Sequence, residues 1–351
     1  MRRILSSAVA VMSLAVAGAV FADDAPPTPG EVVGYAESLA RSASQGDKDA
    51  LSTLQTNAAM NDAGAQFGLG EYAVLTKDYA QSIAWFKKAA DQDCACGYYG
   101  LGTAYESGLG VPRDYARAMA MYLKADVQLP RLGKQIGDLY YQGRGVKQDY
   151  PQAVAWYTKA ADAGSLEADI ALGDAYRAGV GVKQDDTNAM RRYQAAADAG
   201  DAEAQYKLGL LYETSRLRRD YKRAALWYQR SSQQGVADAQ LHLGLLYSSG
   251  QGVPMDPSKA LMQFQMAANQ GNGQAQYHLA DSFATGSGTP ADPFRAYQWY
   301  TIAGASLDKK DPISSLATQR LKALGEHMSP DQVSRARKVA ADWLKSRGEI
   351  H

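Results

Sequence analysis

Cysteine and histidine are scarce in this chain: 351 residues hold two cysteines, Cys94 and Cys96, and four histidines. That scarcity leaves one candidate disulfide. It also leaves no cluster with metal-ligand spacing, because His242, His278, His327 and His351 are not accompanied by Cys or a third nearby His. Net charge is missing too, with 37 Lys plus Arg against 37 Asp plus Glu, so the basic field that nucleic-acid binding needs is absent. After residue 21 no apolar run is long enough to cross a bilayer. Catalytic signatures are equally thin. The Gly-x-Gly segments follow helical rather than strand patterns and recur as punctuation, which excludes phosphate cradles. Ser306-Leu307-Asp308-Lys309 matches the Ser-x-x-Lys of penicillin-recognising enzymes, but the Ser-Asp-Asn and Lys-Thr-Gly boxes are missing. The expectation is no enzyme, no cofactor and no metal, with a β-lactamase-like or cell-wall hydrolase as the alternative.

The first residues read as an address. Arg2-Arg3 precede an apolar run from Ile4 to Phe21, followed by Asp23-Asp24. Val20-Phe21-Ala22 places small residues where a signal peptidase inspects, so residues 1–22 are expected to be a cleavable export signal, cut after Ala22. The alternative is a retained membrane helix, for which a run of about 18 residues is near the lower limit. No Cys follows the cut to carry a lipid. Export places the mature chain in a periplasm or outside the cell, not spanning the membrane, with a net charge of about −2 once Arg2 and Arg3 are gone.

What the sequence has in abundance is repetition. A phrase of about 36 residues recurs seven times: Ala-x-x-x-Leu-Gly-x-x-Tyr, Gly-x-Gly-Val, Asp, Ala-x-x-Trp-Tyr, Ala-Ala, Gly. Its Leu-Gly glycine falls at Gly70, Gly102, Gly137, Gly173, Gly209 and Gly244, with Ala280 in the seventh place. The aromatic of the second half keeps the same time: Phe86, Tyr122, Tyr157, Tyr193, Tyr228, Phe264 and Tyr300. Each repeat reads as two helices. With Leu208 at zero, Ala204, Leu211 and Tyr212 fall within about 60° of it and Gly209 at about 100°, a single packing face. The glycine is expected to let a partner helix approach, with Tyr212 filling the space beside it. Ala153, Trp156, Tyr157 and Ala160 form the stripe of a second helix. Gly164, Gly200, Gly235 and Gly271 follow as helix stops. Four loops, beginning at Gly108, Gly143, Gly179 and Gly250, each carry a Val expected to be buried.

The expected organisation is a signal at 1–22, a Pro-rich linker at 23–30, capping helices within 31–62, seven repeats over 63–305, and C-terminal capping helices and tail over 306–351. In the tail, Ser329-Pro330-Asp331-Gln332 reads as a helix start, and Ala336, Val339, Ala340 and Trp343 as its apolar face.

These residues resemble the Sel-1-like repeat family, relatives of the tetratricopeptide repeats with a longer unit, the extra length being the Gly-x-Gly-Val-x-x-Asp insertion before Asp114, Asp149, Asp185 and Asp256. The resemblance implies an all-α fold, a right-handed α/α superhelix of helix pairs, that serves as an adaptor or scaffold for another protein, often in the bacterial envelope. It also admits a narrower role, an immunity protein that neutralises a secreted effector. Repeat one departs at Leu75-Thr76-Lys77-Asp78, and repeat five at Ser215-Arg216-Leu217-Arg218-Arg219-Asp220.

In such a superhelix the positions two before, two after and five after each Leu point away from the core, toward the concave face. The first series reads Phe67, Tyr99, Lys134, Ile170, Tyr206, Leu241 and Tyr277, and the second includes Asp138, Asp174 and Asp281. Apolar anchors bordered by acids suit a basic, partly apolar protein or peptide. Packing between repeats accounts for the same stripe equally well. A second candidate surface is the run Arg216, Arg218, Arg219, Lys222 and Arg223, suited to an acidic partner or a lipid headgroup surface.

Overall fold

A computed structural model of the chain describes residues 28–216 and 218–348. The expected signal, most of the expected linker, and His351 lie outside the described residues. The chain divides into two compact units, one ending at Asp185 and one beginning at Asp186. Among the described residues the secondary structure is helical throughout, as expected for a solenoid of helix-pair repeats.

In the first unit α1 (Pro29–Ser44) and α2 (Lys48–Ala59) precede the pairs α3 (Ala63–Leu75) and α4 (Tyr79–Asp91), α5 (Ala95–Ser107) and α6 (Tyr115–Asp126), and α7 (Gly133–Gln142) and α8 (Tyr150–Asp162), then α9 (Leu166–Ala178). The second unit holds α10 (Asp186–Asp198), the pairs α11 (Ala202–Thr214) and α12 (Tyr221–Gln233), α13 (Ala237–Ser249) and α14 (Pro257–Asn269), and α15 (Gly273–Thr285) and α16 (Pro293–Ser306), and lastly α17 (Pro312–Gly325) and α18 (Pro330–Ser346). The first helix starts at Pro29, inside the stretch expected to be linker. Proline at the first helical position has no hydrogen bond to lose, and Thr28 and Glu31 close a capping box around it.

The helices pair through a missing side chain. A Cβ placed on Gly70, Gly102, Gly137, Gly209 or Gly244 would stand 2.4–2.8 Å from a ring atom of Phe86, Tyr122, Tyr157, Tyr228 or Phe264 respectively. In these five repeats the ring of the second helix therefore lies directly against the backbone of its own first helix. This corrects the role expected of Tyr212, which is only half-buried: the space over Gly209 belongs to Tyr228.

The loops join these pairs by a second close approach. Five of the first helices, α5, α7, α9, α13 and α15, end on a left-handed glycine, at Gly108, Gly143, Gly179, Gly250 and Gly286. The glycine two residues on presses against the start of the preceding repeat's second helix. At Gly252 a Cβ would come within 2.2 Å of the Tyr221 carbonyl oxygen, at a φ of +73° that a side chain resists. The Val residues behind these glycines are half-buried rather than fully enclosed.

The Asp at the end of a loop serves twice. Its peptide N–H returns to the first helix, as from Asp256 to the Tyr247 carbonyl at 2.9 Å. Its carboxylate accepts the N–H of the third helical residue, as Asp114 does from Arg117 at 2.9 Å, a cap of about 1 kcal/mol. Repeat five, without glycines, keeps the return from Asp220 to Tyr212 at 2.8 Å and replaces the glycine contact by a hydrogen bond from Ser215 Oγ to Asp186 at 2.7 Å.

At the C-terminus Ser329 caps α18 with Gln332 as its reciprocal partner. Ala336, Ala340 and Leu344 are its buried residues, Trp343 packs edge-on to Trp299, and Val339, expected inside, is exposed.

Gly137→Ala is expected to cost about 1–3 kcal/mol in urea unfolding, because the new methyl must displace the Tyr157 ring. The buried Ala280 of repeat seven shows that such a displacement is tolerable. Gly304→Ala, where the methyl meets nothing within 4 Å on an exposed helical turn, is the control and is expected to stabilise slightly.

Candidate functional site

The first helices carry the residues expected to bind a partner, and the structure sorts them into buried and accessible. In the first unit Phe67 is fully enclosed, packed on Phe86 at 5.8 Å and covered by Val33 and Ala36 of α1. Tyr99 is half-buried against Tyr122 at 6.2 Å, and Ile170 is half-buried on α9. In the second unit Leu241 and Tyr277 are buried, and Tyr206 is half-buried between Tyr228 and His242, at 6.1 and 5.9 Å. Phe67, Leu241 and Tyr277 are therefore core residues and not surface anchors. A ring beneath does not by itself bury the position, since Tyr99 and Tyr206 rest on Tyr122 and Tyr228 and stay half-buried; Phe67 is closed over by α1, and Tyr277 has Arg320 of α17 beside it.

The acids have a structural use of the same kind. Asp138 accepts the Tyr157 hydroxyl at 2.8 Å and pairs with Lys134 at 2.6 Å. Asp281 accepts the Tyr300 hydroxyl at 3.1 Å and lies 4.0 Å from Arg320 of α17. Two acceptors fall outside the expected set: Glu106 takes the Tyr122 hydroxyl at 2.6 Å and Glu213 takes that of Tyr228 at 2.5 Å. Both stand five residues after the repeat's Leu. The sequence carries the signal, since the repeats with Thr103 and Leu210 two after the Leu place an acid at five after it. Repeat six, whose ring is Phe264, has no acid at either place. Burial, with the neighbouring carboxylates, pushes all four phenols upward, so they stay donors. Asp174 is half-buried on α9.

Repeat one breaks this pairing. Its ring is Phe86, which has no hydroxyl, yet Glu71 stands two after Leu69, where Asp138 and Asp281 stand in their repeats. Glu71 and Glu37 of α1 line a cavity of about 220 Å³ together with Tyr99, Thr103, Ser82 and Phe86. Burial, reinforced by the Glu37 charge, pushes the Glu71 carboxyl up to about 7. Glu37 is also raised by burial, against the opposing charges of Arg131 and Arg41. Burial and these two acids push the Tyr99 phenol up to about 12.

The second unit has a different polar group at the equivalent layer. His242 Nδ1 lies 2.9 Å from Glu213, with its ring stacked on Tyr228, and His278 stacks on Phe264. Burial pushes Glu213 up, but the hydrogen bonds from His242 and Tyr228 outweigh it and leave the carboxyl below its ordinary value. Burial lowers His278, against the charge of Asp281. No group of three or more metal-ligating side chains occurs among the described residues.

Cys94 and Cys96 are joined as a disulfide at the start of α5, both buried. Arg216, Arg218, Arg219, Lys222 and Arg223 are all exposed. Ser306 is the last residue of α16, and Lys309 lies in the exposed turn behind it. No helix among the described residues is long and apolar enough to cross a membrane.

A model of the Sel1 repeat matches seven consecutive stretches, 58–94, 97–125, 131–165, 166–201, 202–236, 237–272 and 273–306. The chain belongs to the Sel1 repeat family. It is similar to a Sel1 repeat protein from Oxalobacter formigenes, 32% identical over 68% of this chain and 98% of that one, with a TM-score of 0.61. A protective antigen of uropathogenic Escherichia coli with an SLR fold is 22% identical over 90% of this chain and 84% of that one, TM-score 0.41. An immunity protein of Pseudomonas aeruginosa is 24% identical over 66% and 81%, TM-score 0.36. A comparison with curated proteins gives no match.

The raised Glu71 sets a pH dependence for this Sel1 repeat protein. A carboxyl whose folded pKa, about 7, lies above its ordinary 4.5 costs no stability below 4.5 and costs progressively more as pH rises to 7. Glu71→Gln is therefore expected to match the parent near pH 4 and to exceed it by about 3 kcal/mol near pH 8, read from urea unfolding at both.

Proposed function

We propose that this Sel1 repeat protein is an exported scaffold, without catalysis, that holds a partner protein or peptide against the accessible face of its first helices. The single observation that carries the reading is the cavity at Glu37, Glu71 and Tyr99, where acids and an aromatic edge meet without the tyrosine hydroxyl that occupies the carboxylate in other repeats. Membership of a repeat family whose fold suits protein–protein interaction supports it. In the second unit Tyr206 offers a half-buried ring at the equivalent position. A basic, partly apolar segment complements both places: cations meet the carboxylates and apolar groups meet the rings.

The location is part of the proposal. The N-terminal run with Arg2-Arg3 and Ala22 supports export to the periplasm or beyond, where an envelope-associated assembly or sensor is the class of partner.

Affinity capture of the tagged protein from its own envelope fraction, with mass spectrometry, tests this. One stoichiometric partner is expected, with capture reduced about tenfold or more in Tyr99→Ala and in Tyr206→Ala while melting shifts modestly. Tyr277→Ala removes a buried ring and is expected instead to cost about 3–5 kcal/mol of stability. Partner capture that is indifferent to Tyr99 and Tyr206 would refute the first-helix face as the binding site.

A further inference from the structure

Repeat five departs from its neighbours in charge as well as in backbone. Its loop and the start of α12 carry Arg216, Arg218, Arg219, Lys222 and Arg223, all exposed, while the corresponding loops of repeats six and seven, Gly250–Asp256 and Gly286–Asp292, hold no Lys or Arg. Arg223 has an internal use: it pairs with Asp220 at 3.4 Å and lies over the Tyr212 ring at 5.6 Å. Arg219 faces the Glu213 charge. Arg216, Arg218 and Lys222 make no ion pair or hydrogen bond among the described residues, so nothing in the fold requires their charge.

Beside these cations the surface turns apolar. The loop of repeat six is pressed onto the start of α12, since a Cβ on Gly252 would stand 2.2 Å from the Tyr221 oxygen and 2.8 Å from the Lys222 nitrogen. Met255 follows three residues after the glycine that makes this contact, and it is 67% exposed. Met255 stands 36 residues after Arg219, Met262 the same distance after Leu226, and Met266 after Arg230. Leu226 and Met262 are 47% and 54% exposed on the outer sides of α12 and α14, and Met266 is exposed one turn further. Arg219 and Met255 thus occupy matching positions in the loops of adjacent repeats, and Arg230 and Met266 matching positions on α12 and α14.

Exposed cations alone are ordinary solvated charge. Their combination with exposed Leu and Met is the composition that rests on a lipid interface: the charges collect at anionic headgroups, and the apolar tips reach past them. A folded acidic protein would be met by rigid aromatic anchors in pockets. Here Trp227 is buried and Tyr212 is half-buried beneath Arg223, so the exposed apolar groups are flexible ones. We propose that this basic, Met-edged surface of the second unit docks the protein peripherally on an anionic phospholipid bilayer.

Flotation of the full-length protein with vesicles tests this directly, using phosphatidylethanolamine and phosphatidylglycerol at about three to one, against phosphatidylcholine alone. The parent is expected to float with the anionic vesicles only, and to be released as salt rises from about 0.1 to about 0.5 M. The triple variant Arg216→Glu, Arg218→Glu, Lys222→Glu is expected to lose about a hundredfold in partitioning with an unchanged melting curve. Met255→Ser with Met262→Ser is expected to lose about tenfold. Failure of the parent to float at low salt, or equal flotation of the folded triple variant, overturns the proposal. Capture of the parent by polyglutamate beads in place of vesicles overturns it too, and assigns the charge to an acidic protein partner. None of these substitutions touches Tyr99, Tyr206 or Glu71, so the outcome is independent of the scaffold reading.

Discussion

A ring lying over an absent side chain is the contact on which five of the seven repeats are built. Without the Cβ of Gly102 or Gly137, the Tyr122 or Tyr157 ring settles onto the backbone of the first helix, and the two helices come as close as a ring's thickness allows. Everything else in the repeat follows from that depth. The large rings are among the most completely buried side chains of the protein, and the Ala residues around them are small because nothing larger fits. The close approach of each loop to the preceding repeat then transmits the same spacing along the chain of helix pairs within a unit.

A tyrosine buried this deeply brings a hydroxyl with it, and an unpaired hydroxyl in the core is costly. The repeats meet that demand with one carboxylate, placed either two or five residues after the Leu, where the side chain reaches the phenol from the first helix. The acids that make the first-helix face look like an acidic groove are thus largely committed to holding rings. What is left over for binding is what this logic does not use. Glu71 has the carboxylate and lacks the phenol, and the cavity beside it is where the first unit departs from its own rule.

Much of the fold was legible because its determinants repeat. The helix pairs and the left-handed stops at Gly164, Gly200, Gly235 and Gly271 each follow from a local requirement that recurs every turn of the pattern. What stayed hidden was which face each residue of the first helix finally shares with another element. A period of 3.6 residues places Phe67 and Tyr277 opposite the Leu, and in an isolated helix pair they would be exposed. They are buried because α1 lies over Phe67, and because Arg320 of α17 is close enough to hydrogen-bond Tyr277. Those partners come from the non-repeating ends of the chain, and periodicity carries no information about them. The error over Tyr212 has a different origin: both aromatics recur with the same period, and only the distance to Gly209 tells which ring occupies its space.

Individuality in a repeat protein resides where such duties lapse. A substitution at the ring, the glycine or the cap is constrained by a partner in every repeat, so it is a poor place to encode a specific ligand. Positions released from a partner are free to diverge. Glu71 is released by Phe86, which asks for no acceptor, and the Arg216–Lys222 stretch is released by Ser215, whose hydrogen bond to Asp186 replaces the glycine contact and lets the loop carry other side chains. Both departures keep the helix geometry on either side, since Asp78 and Asp220 still cap α4 and α12. The acids at Glu71 and the cations at Arg216, Arg218 and Lys222 each stand at a repeat where a structural duty has been removed or handed to another residue.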